Sequence, residues 1–477
     1  MTAPVTASAS APVSRRLRLS QLGVIALGLA IWFVPPPEGL TLPAWQLFAI
    51  FLATIVSVIV GAFPILTAAV LAAAAAVLSG VLTPSVAYSG FANSTILLIV
   101  LAFLVARAVV KCGLGQRLGH LVVSWFGRST LGLAYSIFLV DAVIAPAFPS
   151  NTARGGVLYP LVVGLAEAGG VSPDRPDRRR LGAYLMFCGM ASLSVSSALW
   201  LTAMAGNPLG AEMAREFGLN ITFGSWLVAS CMPTLFAMAL LPWILQRLIK
   251  PEVTATPDAP AAAKRALAAL GPLSRDERIV AVTFVGMVAL WASAAFLGLD
   301  STAVALLGLG ILLGTGVLTL GDIAREGDVL ATFIWFAVLY TLSGQLNEMG
   351  FMGYLGQQLA GALGGFGPMA VFLLLLVVYT LMHYLFVSQT AHVLALFAVF
   401  LEVGTKLGVP AAPLAFMLLF SSNTFSLITP QGSSANLLFT GSGYLSQGDL
   451  YRLGAITTVI SLLIYLVIGT PWLLLVT

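Results

Sequence analysis

The sequence predicts an all-α polytopic membrane protein made of two inverted repeats. About 11 transmembrane helices and two re-entrant helical hairpins are expected, with the N-terminus in and the C-terminus out. Three observations carry this. Of 477 residues, 59% are hydrophobic and 8% charged, where about a quarter charged is usual for a soluble domain, and several apolar runs reach the roughly 20 residues of a membrane span. Two polar, turn-rich stretches interrupt that apolar background in the same pattern. They are Ala147-Phe148-Pro149-Ser150-Asn151-Thr152-Ala153-Arg154-Gly155-Gly156 and Val387-Ser388-Gln389-Thr390-Ala391-His392, their serines 388 − 150 = 238 positions apart. The third observation is the placement of the basic residues.

In chain order, residues 1–19 read as a tail of Ala, Ser, Thr, Pro and Val ending in Arg15, Arg16 and Arg18, too poor in large apolar residues to fold. Spans one to four are expected near 20–35, 42–61, 64–82 and 94–111, the first closed by Pro35-Pro36-Pro37. The interrupted stretch 130–168 follows, then an Arg-rich loop at 174–180, span five (181–205, with a polar break) and span six (223–246). Residues 251–277, rich in Ala, Pro and charge, read as a linker. Spans seven to nine fall near 279–298, 302–320 and 330–347, the second interrupted stretch at 366–407, span ten at 412–438 and span eleven at 454–476. Span ten is broken at Thr429-Pro430, because proline removes a helix hydrogen bond.

With the N-terminus in the cytoplasm, all but Arg154, Arg215 and Lys406 of the 22 Lys and Arg fall on cytoplasmic ends or loops, as the positive-inside rule requires. Both flanks of 130–168 are then cytoplasmic, so this stretch is a hairpin and not a crossing, and 366–407 is its counterpart from the other face. Five crossings separate the two plans, so the second begins on the opposite side, as in an inverted repeat. Lys111-Cys112-Gly113 and Glu348-Met349-Gly350 match in nearly the same register, 350 − 113 = 237.

Non-helical backbone at membrane depth survives only where protein buries it or where it lines a watery cavity. A hairpin tip there exposes the free N–H groups of the following half-helix, and these, with the helix dipole, attract a carboxylate. Hydroxyl and amide side chains at the tip add donors and cap the helix. Two tips meeting from opposite faces would hold one carboxylate each, a geometry suited to a dicarboxylate. An alignment of spans five and ten at Ala183 and Ala415 sets Ser197 opposite Thr429. Ser192 and Ser194 read as bonding their own backbone.

At these residues the sequence resembles the divalent anion/sodium symporter family from about residue 40 onward. Further similar positions are Gly90-Phe91-Ala92-Asn93-Ser94-Thr95 and Gly441-Ser442-Gly443-Tyr444. Pro149 through Gly156 is most similar to a branch holding plastid 2-oxoglutarate/malate translocators and bacterial citrate or tartrate/succinate antiporters. The resemblance implies substrate binding by Ser150, Asn151, Thr152, Ser388, Gln389, Thr390, Thr429 and Pro430, and the internal alignment adds Ser197 to this set. It implies an exchanger of C4 and C5 dicarboxylates (malate, succinate, 2-oxoglutarate, citrate or tartrate), multi-pass in a bacterial inner membrane. It also implies a homodimer in which a transport domain moves as an elevator against a scaffold, with 20–129 and 278–365 as scaffold and 130–250 and 366–477 as transport domain. Gln389 stands where the family pattern has Asn, which bears on whether a sodium ion is coordinated there.

Arg154 and His392 each lie two residues after the threonine of their tip, where a cation opposes the helix dipole. The sequence reading makes them charge-balancing groups for a dianion in place of sodium; the alternative pairs Arg154 with Asp141 and leaves His392 a neutral packing residue. Glu402 reads as solvated near the surface. No resident cofactor or metal is expected, and sodium enters only in a symporter. The partners are dicarboxylate anions and lipid, with no nucleic acid. Cys112, Cys188 and Cys231 have no ligand spacing. An intramembrane enzyme lacks a His-Glu-x-x-His run, and a channel would show no trans-stimulation.

Overall fold

The structure is a computed structural model describing residues 15–172, 179–363, 365–386 and 388–477. Residues 1–14 of the expected tail, most of the Arg-rich loop and Val387 of the second polar stretch lie outside the described residues. The first half runs α1 (Arg15–Phe33), α2 (Leu42–Ile59), α3 (Ile65–Leu78), α4 (Ser94–Cys112), α5 (Leu114–Phe126), α6 (Thr130–Ile144), α7 (Asn151–Ala168), α8 (Arg179–Leu199), α9 (Gly206–Ala214) and α10 (Phe223–Ile249). After α11 (Ala259–Ala269) come α12 (Arg275–Leu297), α13 (Ser301–Gly314), α14 (Gly327–Glu348), α15 (Phe351–Leu363), α16 (Pro368–Met382), α17 (Gln389–Lys406), α18 (Ala411–Thr424), α19 (Asn436–Thr440), α20 (Gln447–Ile464) and α21 (Thr470–Val476). Among the described residues, nine helical segments are long and apolar enough to cross a membrane.

Local chemistry starts and stops these helices. Thr41, Asn93, Ser129, Ser274 and Ser446 each accept a first-turn backbone N–H through the side chain, satisfying donors the helix leaves free. Gly113 and Gly350 end α4 and α14 at positive φ, 77° and 83°, a region glycine enters without steric cost. Directly after these glycines come α5 and α15, which the sequence did not predict, because 13 residues are too few to span a membrane and read as loop.

The two interrupted stretches match residue for residue. α6 and α16, the short turns Ala145–Ala147 and His383–Leu385, and α7 and α17 have identical bounds after a shift of 238, the separation of Asn151 and Gln389. Ser150 and Ser388 cap the second arms alike, each Oγ accepting from the backbone N–H three residues on at 3.3 Å.

The breaks after α8 and α18 also match, in a register the sequence alignment missed. Asn207 Nδ2 donates to the carbonyls of Ser197 (2.9 Å) and Trp200 (3.2 Å). Asn436 Nδ2 donates to those of Ser426 (2.7 Å) and Thr429 (3.1 Å). Each asparagine ties the freed carbonyls of one break, and their separation, 436 − 207 = 229, sets Ser197 opposite Ser426 and not Thr429. Ser192 bonds its own turn, Oγ to Gly189 O at 2.9 Å, but Ser194 reaches Ser426 Oγ at 2.8 Å.

α8 is the central element: its apolar window is 100% buried, against 22% for α12. The outer helices expose large apolar side chains such as Phe296 (90%) and Leu475 (81%), as a lipid-facing surface does. Residues 251–277 are not a free tether. Thr130 Oγ1 donates to Val253 O at 2.5 Å, Thr256 Oγ1 to Gly127 O at 2.7 Å, and Arg117 Nε to Glu277 at 2.6 Å. At the C-terminal end of α4, Lys111 Nζ donates to Asp322 at 2.7 Å, holding that carboxyl well below the usual carboxylate range.

The second break packs directly on α20, where Gly454 faces backbone. A Cβ at Gly454 would lie 2.3 Å from Leu427 O and 2.6 Å from Ile428 Cα, while Gly448 on the same helix has nothing within 4 Å. Backbone cannot yield as a side-chain tip can. Gly454→Ala is therefore expected to cost about 1–3 kcal/mol and to lower the melting temperature of the detergent-solubilised protein, while Gly448→Ala leaves it unchanged or slightly higher.

Candidate substrate site

The tips of the two hairpins abut. Asn151 Nδ2 donates to Gln389 Oε1 at 3.0 Å, so the amide side chains that open α7 and α17 hold each other. Beside this contact lies a cavity of about 230 Å³, below the roughly 300–1,000 Å³ of drug-sized sites and suited to a small metabolite. Ser150, Asn151 and Thr152 line it from one tip, Ser388, Gln389 and Thr390 from the other. The leading N–H groups of both half-helices have no partner within their helices, so the cavity receives two positive dipole ends.

Five other residues expected at the site do not line it. Ser197 sits behind the first tip with no exposed surface, its Oγ 2.6 Å from Asn151 Oδ1. Thr429 caps the turn Pro430–Gly432 through its backbone, its buried hydroxyl without a protein partner. Pro430 lies within that turn.

Arg154 has no exposed surface and points away from the cavity into the protein. Its Nε lies 2.9 Å from Asp141 Oδ1. Its Nη2 faces Leu193 O (2.7 Å), Ser197 Oγ (2.6 Å) and Asn151 Oδ1 (3.0 Å), and its Nη1 reaches Ala203 O at 3.4 Å. Ser196 Oγ donates to the other Asp141 oxygen at 2.5 Å. One guanidinium thus joins both arms of the first hairpin to the last two turns of α8 and to the break after it.

His392 holds the equivalent sequence position and a different place. Its Nε2 donates to Tyr379 O at 3.1 Å within its own hairpin, and its ring packs against Tyr379 and His383. The expected pair of charge-balancing groups is therefore one ion-paired arginine and one histidine enclosed by aromatic rings. Glu402 pairs with Lys406 at 3.0 Å.

The second tip reaches its own break by other means. The carbonyls matching Leu193 and Ala203 at the 229-residue spacing are those of Ser422 and Gly432. Gln389 Nε2 donates to Ser422 O at 2.8 Å, and His383 Nε2 to Gly432 O at 2.9 Å. A carbonyl only accepts, so each histidine carries its proton on Nε2.

Sequence reasoning missed the cavity's remaining walls. The first break contributes Met204 and Ala205 and the second Ser433 and Ser434, while Phe103 of α4 and Thr332, Trp335 and Phe336 of α14 close the far side. Ser434 Oγ hydrogen-bonds Thr152 Oγ1, and Ala205 N donates to Pro149 O at 2.9 Å. A sequence signal existed for Ser433-Ser434, which follow Thr429-Pro430-Gln431-Gly432 directly. The aromatic residues gave none among so many apolar neighbours.

Among solved structures, the chain is similar in fold to the YdaH transporter of Alcanivorax borkumensis, with a TM-score of 0.56 and 18% identity over 82% of this chain and 85% of that one. This defines an all-helical, multi-pass membrane transporter fold. Residues 16–477 match the family model described as the sodium:sulfate symporter transmembrane region, and the chain belongs to that family, the divalent anion/sodium symporters. It is 40% identical over 450 residues, 94% of each chain, to a putative malate transporter, YflS, of Bacillus subtilis (strain 168). It is 32% identical over 484 residues, 95% of this chain and 97% of the other, to an L-tartrate/succinate antiporter of Shigella sonnei (strain Ss046). It is a transporter and not an enzyme.

Removing one partner of a buried ion pair leaves the other uncompensated, at about 3–5 kcal/mol. Arg154→Ala and Asp141→Ala are each expected to lower the melting temperature sharply. The double variant Asp141→Ala/Arg154→Ala should lose less than the sum of the two, as a double-mutant cycle on the purified protein will measure.

Proposed function

We propose that the protein is a secondary active carrier of C4 and C5 dicarboxylates that works by exchange. The observation that carries this reading is the meeting of two capped helix N-termini at one cavity, with Asn151 and Gln389 in direct contact. Each N-terminus offers free N–H groups and a hydroxyl to one carboxylate, so a two-ended anion satisfies both and a monocarboxylate leaves one set unpaired. The names of the malate and tartrate/succinate relatives support the same substrate class.

Exchange follows from the groups that fill the breaks. Carbonyls freed at helix breaks are the groups with which such carriers coordinate sodium. Here the freed carbonyls are engaged by the protein: Ser197 O and Trp200 O accept from Asn207, Ser426 O and Thr429 O from Asn436 and Gly432 O from His383, while Ala203 O faces the Arg154 guanidinium. Arg154, held by Asp141, stays on the carrier and is never released with the substrate; when the site is empty its two positive helix ends face no anion, so the carrier reorients poorly. The matched hairpins and breaks support an inverted-repeat organisation with the N-terminus in the cytoplasm and the C-terminus outside. A homodimer whose transport domain, residues 130–250 with 366–477, moves as an elevator against a scaffold of 20–129 and 278–365, in a bacterial inner membrane, completes the reading.

Uptake of labelled malate into proteoliposomes tests it. Internal dicarboxylate is expected to accelerate uptake at least tenfold, equally in sodium and choline buffers; uptake that requires sodium and no internal substrate would make the protein a symporter. At the tips, Ser150→Ala, Thr152→Ala, Ser388→Ala and Thr390→Ala should each raise the half-saturating malate concentration. A hydrogen bond to a charged group is worth about 1.5–3 kcal/mol, roughly ten- to a hundredfold.

A further inference from the structure

The cavity is paired at its tips but not at its walls. The tips present similar groups at matched positions: Ser150 and Ser388, Asn151 and Gln389, Thr152 and Thr390. The wall residues also match, at the 229-residue spacing of the two breaks, yet Met204 and Ala205 stand opposite Ser433 and Ser434. One wall offers a thioether and a methyl group, both buried (Met204 4%, Ala205 3%). The other offers two hydroxyls. Both walls adjoin the first tip, where Ala205 N donates to Pro149 O and Ser434 Oγ bonds Thr152 Oγ1. Of the two hydroxyl protons in the Thr152–Ser434 pair, one is used between them and one is free for a ligand.

A dicarboxylate with identical ends has no use for this asymmetry, but one with a substituent on the carbon beside a carboxylate does. We propose that Ser433 and Ser434 are specificity-determining residues that hydrogen-bond a hydroxyl or oxo group on the carbon next to the carboxylate held at Ser150–Thr152, while Met204 and Ala205 reject that group on the opposite side. The site therefore favours 2-hydroxy and 2-oxo dicarboxylates over unsubstituted ones and discriminates between the enantiomers of a 2-hydroxy acid. This rests on the dicarboxylate carrier reading above. The preference is modest, because the cavity is roomy enough for a water to pair with the serines when the substituent is missing. A neutral hydrogen bond then decides it, worth about fivefold, and not the ten-thousandfold of a site that leaves a buried polar group bare.

The experiment is competition against labelled L-malate counterflow in proteoliposomes by unlabelled L-malate, D-malate and succinate. In the wild type, one malate enantiomer should compete about fivefold better than succinate and better than its mirror image. Ser433→Ala and Ser434→Ala should each bring the ratio of that enantiomer to succinate down to about one, whatever their effect on succinate itself. Ser433→Thr keeps the hydroxyl on a backbone that is extended (φ −147°, ψ 140°) and suits a β-branched residue, so it should restore the preference. Met204→Ser should narrow the gap between enantiomers from the other side. Equal loss of malate and succinate in both alanine variants would overturn the proposal, as would an unchanged ratio. A wild type that exchanges no dicarboxylate at all would instead remove the carrier reading, and the proposal with it.

Discussion

A guanidinium with no exposed surface is the constraint around which the first half is arranged. Burying an ion costs several kcal/mol even after relaxation, a cost offset by an opposite charge and hydrogen bonds close around it. Around Arg154 these come from Asp141, ion-paired from the first arm of its hairpin, Asn151 from the tip, Ser197 and Leu193 from the last two turns of α8, and Ala203 from the break. These four pieces of chain cannot shift separately without stripping the charge of a partner. The tip is consequently rigid before any substrate arrives, which lowers the ordering cost of binding.

The second half reaches the same geometry with neutral groups, and this accounts for the glutamine in its motif. Asparagine at the first tip does not need to reach the break, because Arg154 does so. No arginine stands at the second tip. The extra methylene of Gln389 brings an amide to Ser422 O, the carbonyl matching the one Arg154 contacts, while its oxygen still meets Asn151. His383 closes the remaining carbonyl at Gly432. The two halves therefore share a backbone plan and differ in chemistry, as their wall residues do.

Much of this plan was legible in the sequence. Composition and the lengths of apolar runs indicated the helical membrane fold, and the 238-residue spacing of Ser150 and Ser388 is the shift at which the helix–turn–helix bounds of the two stretches match. The six tip residues read as substrate-binding all line one cavity. The register of the breaks was not legible, because a run of serines and a Thr-Pro pair align equally well at several offsets; the asparagines that fix it, Asn207 and Asn436, sit in sequence beyond the breaks they tie. α5 and α15 were missed because short helices lying beside a bundle lack the length that marks a span. Nor could Arg154 be placed, since its position in the first turn of a half-helix is compatible with facing either the cavity or Asp141. Side-chain direction decided that, and it depends on tertiary packing.

The central claim is that both hairpin tips together form one site for one dianion. A cryo-electron microscopy reconstruction of the protein in lipid nanodiscs with saturating L-malate tests it most directly. The account predicts ligand density within the cavity, one carboxylate at Ser150–Thr152 and the other at Ser388–Thr390, with the Asn151–Gln389 contact beside it. Density at a single tip, or outside this cavity, would contradict it.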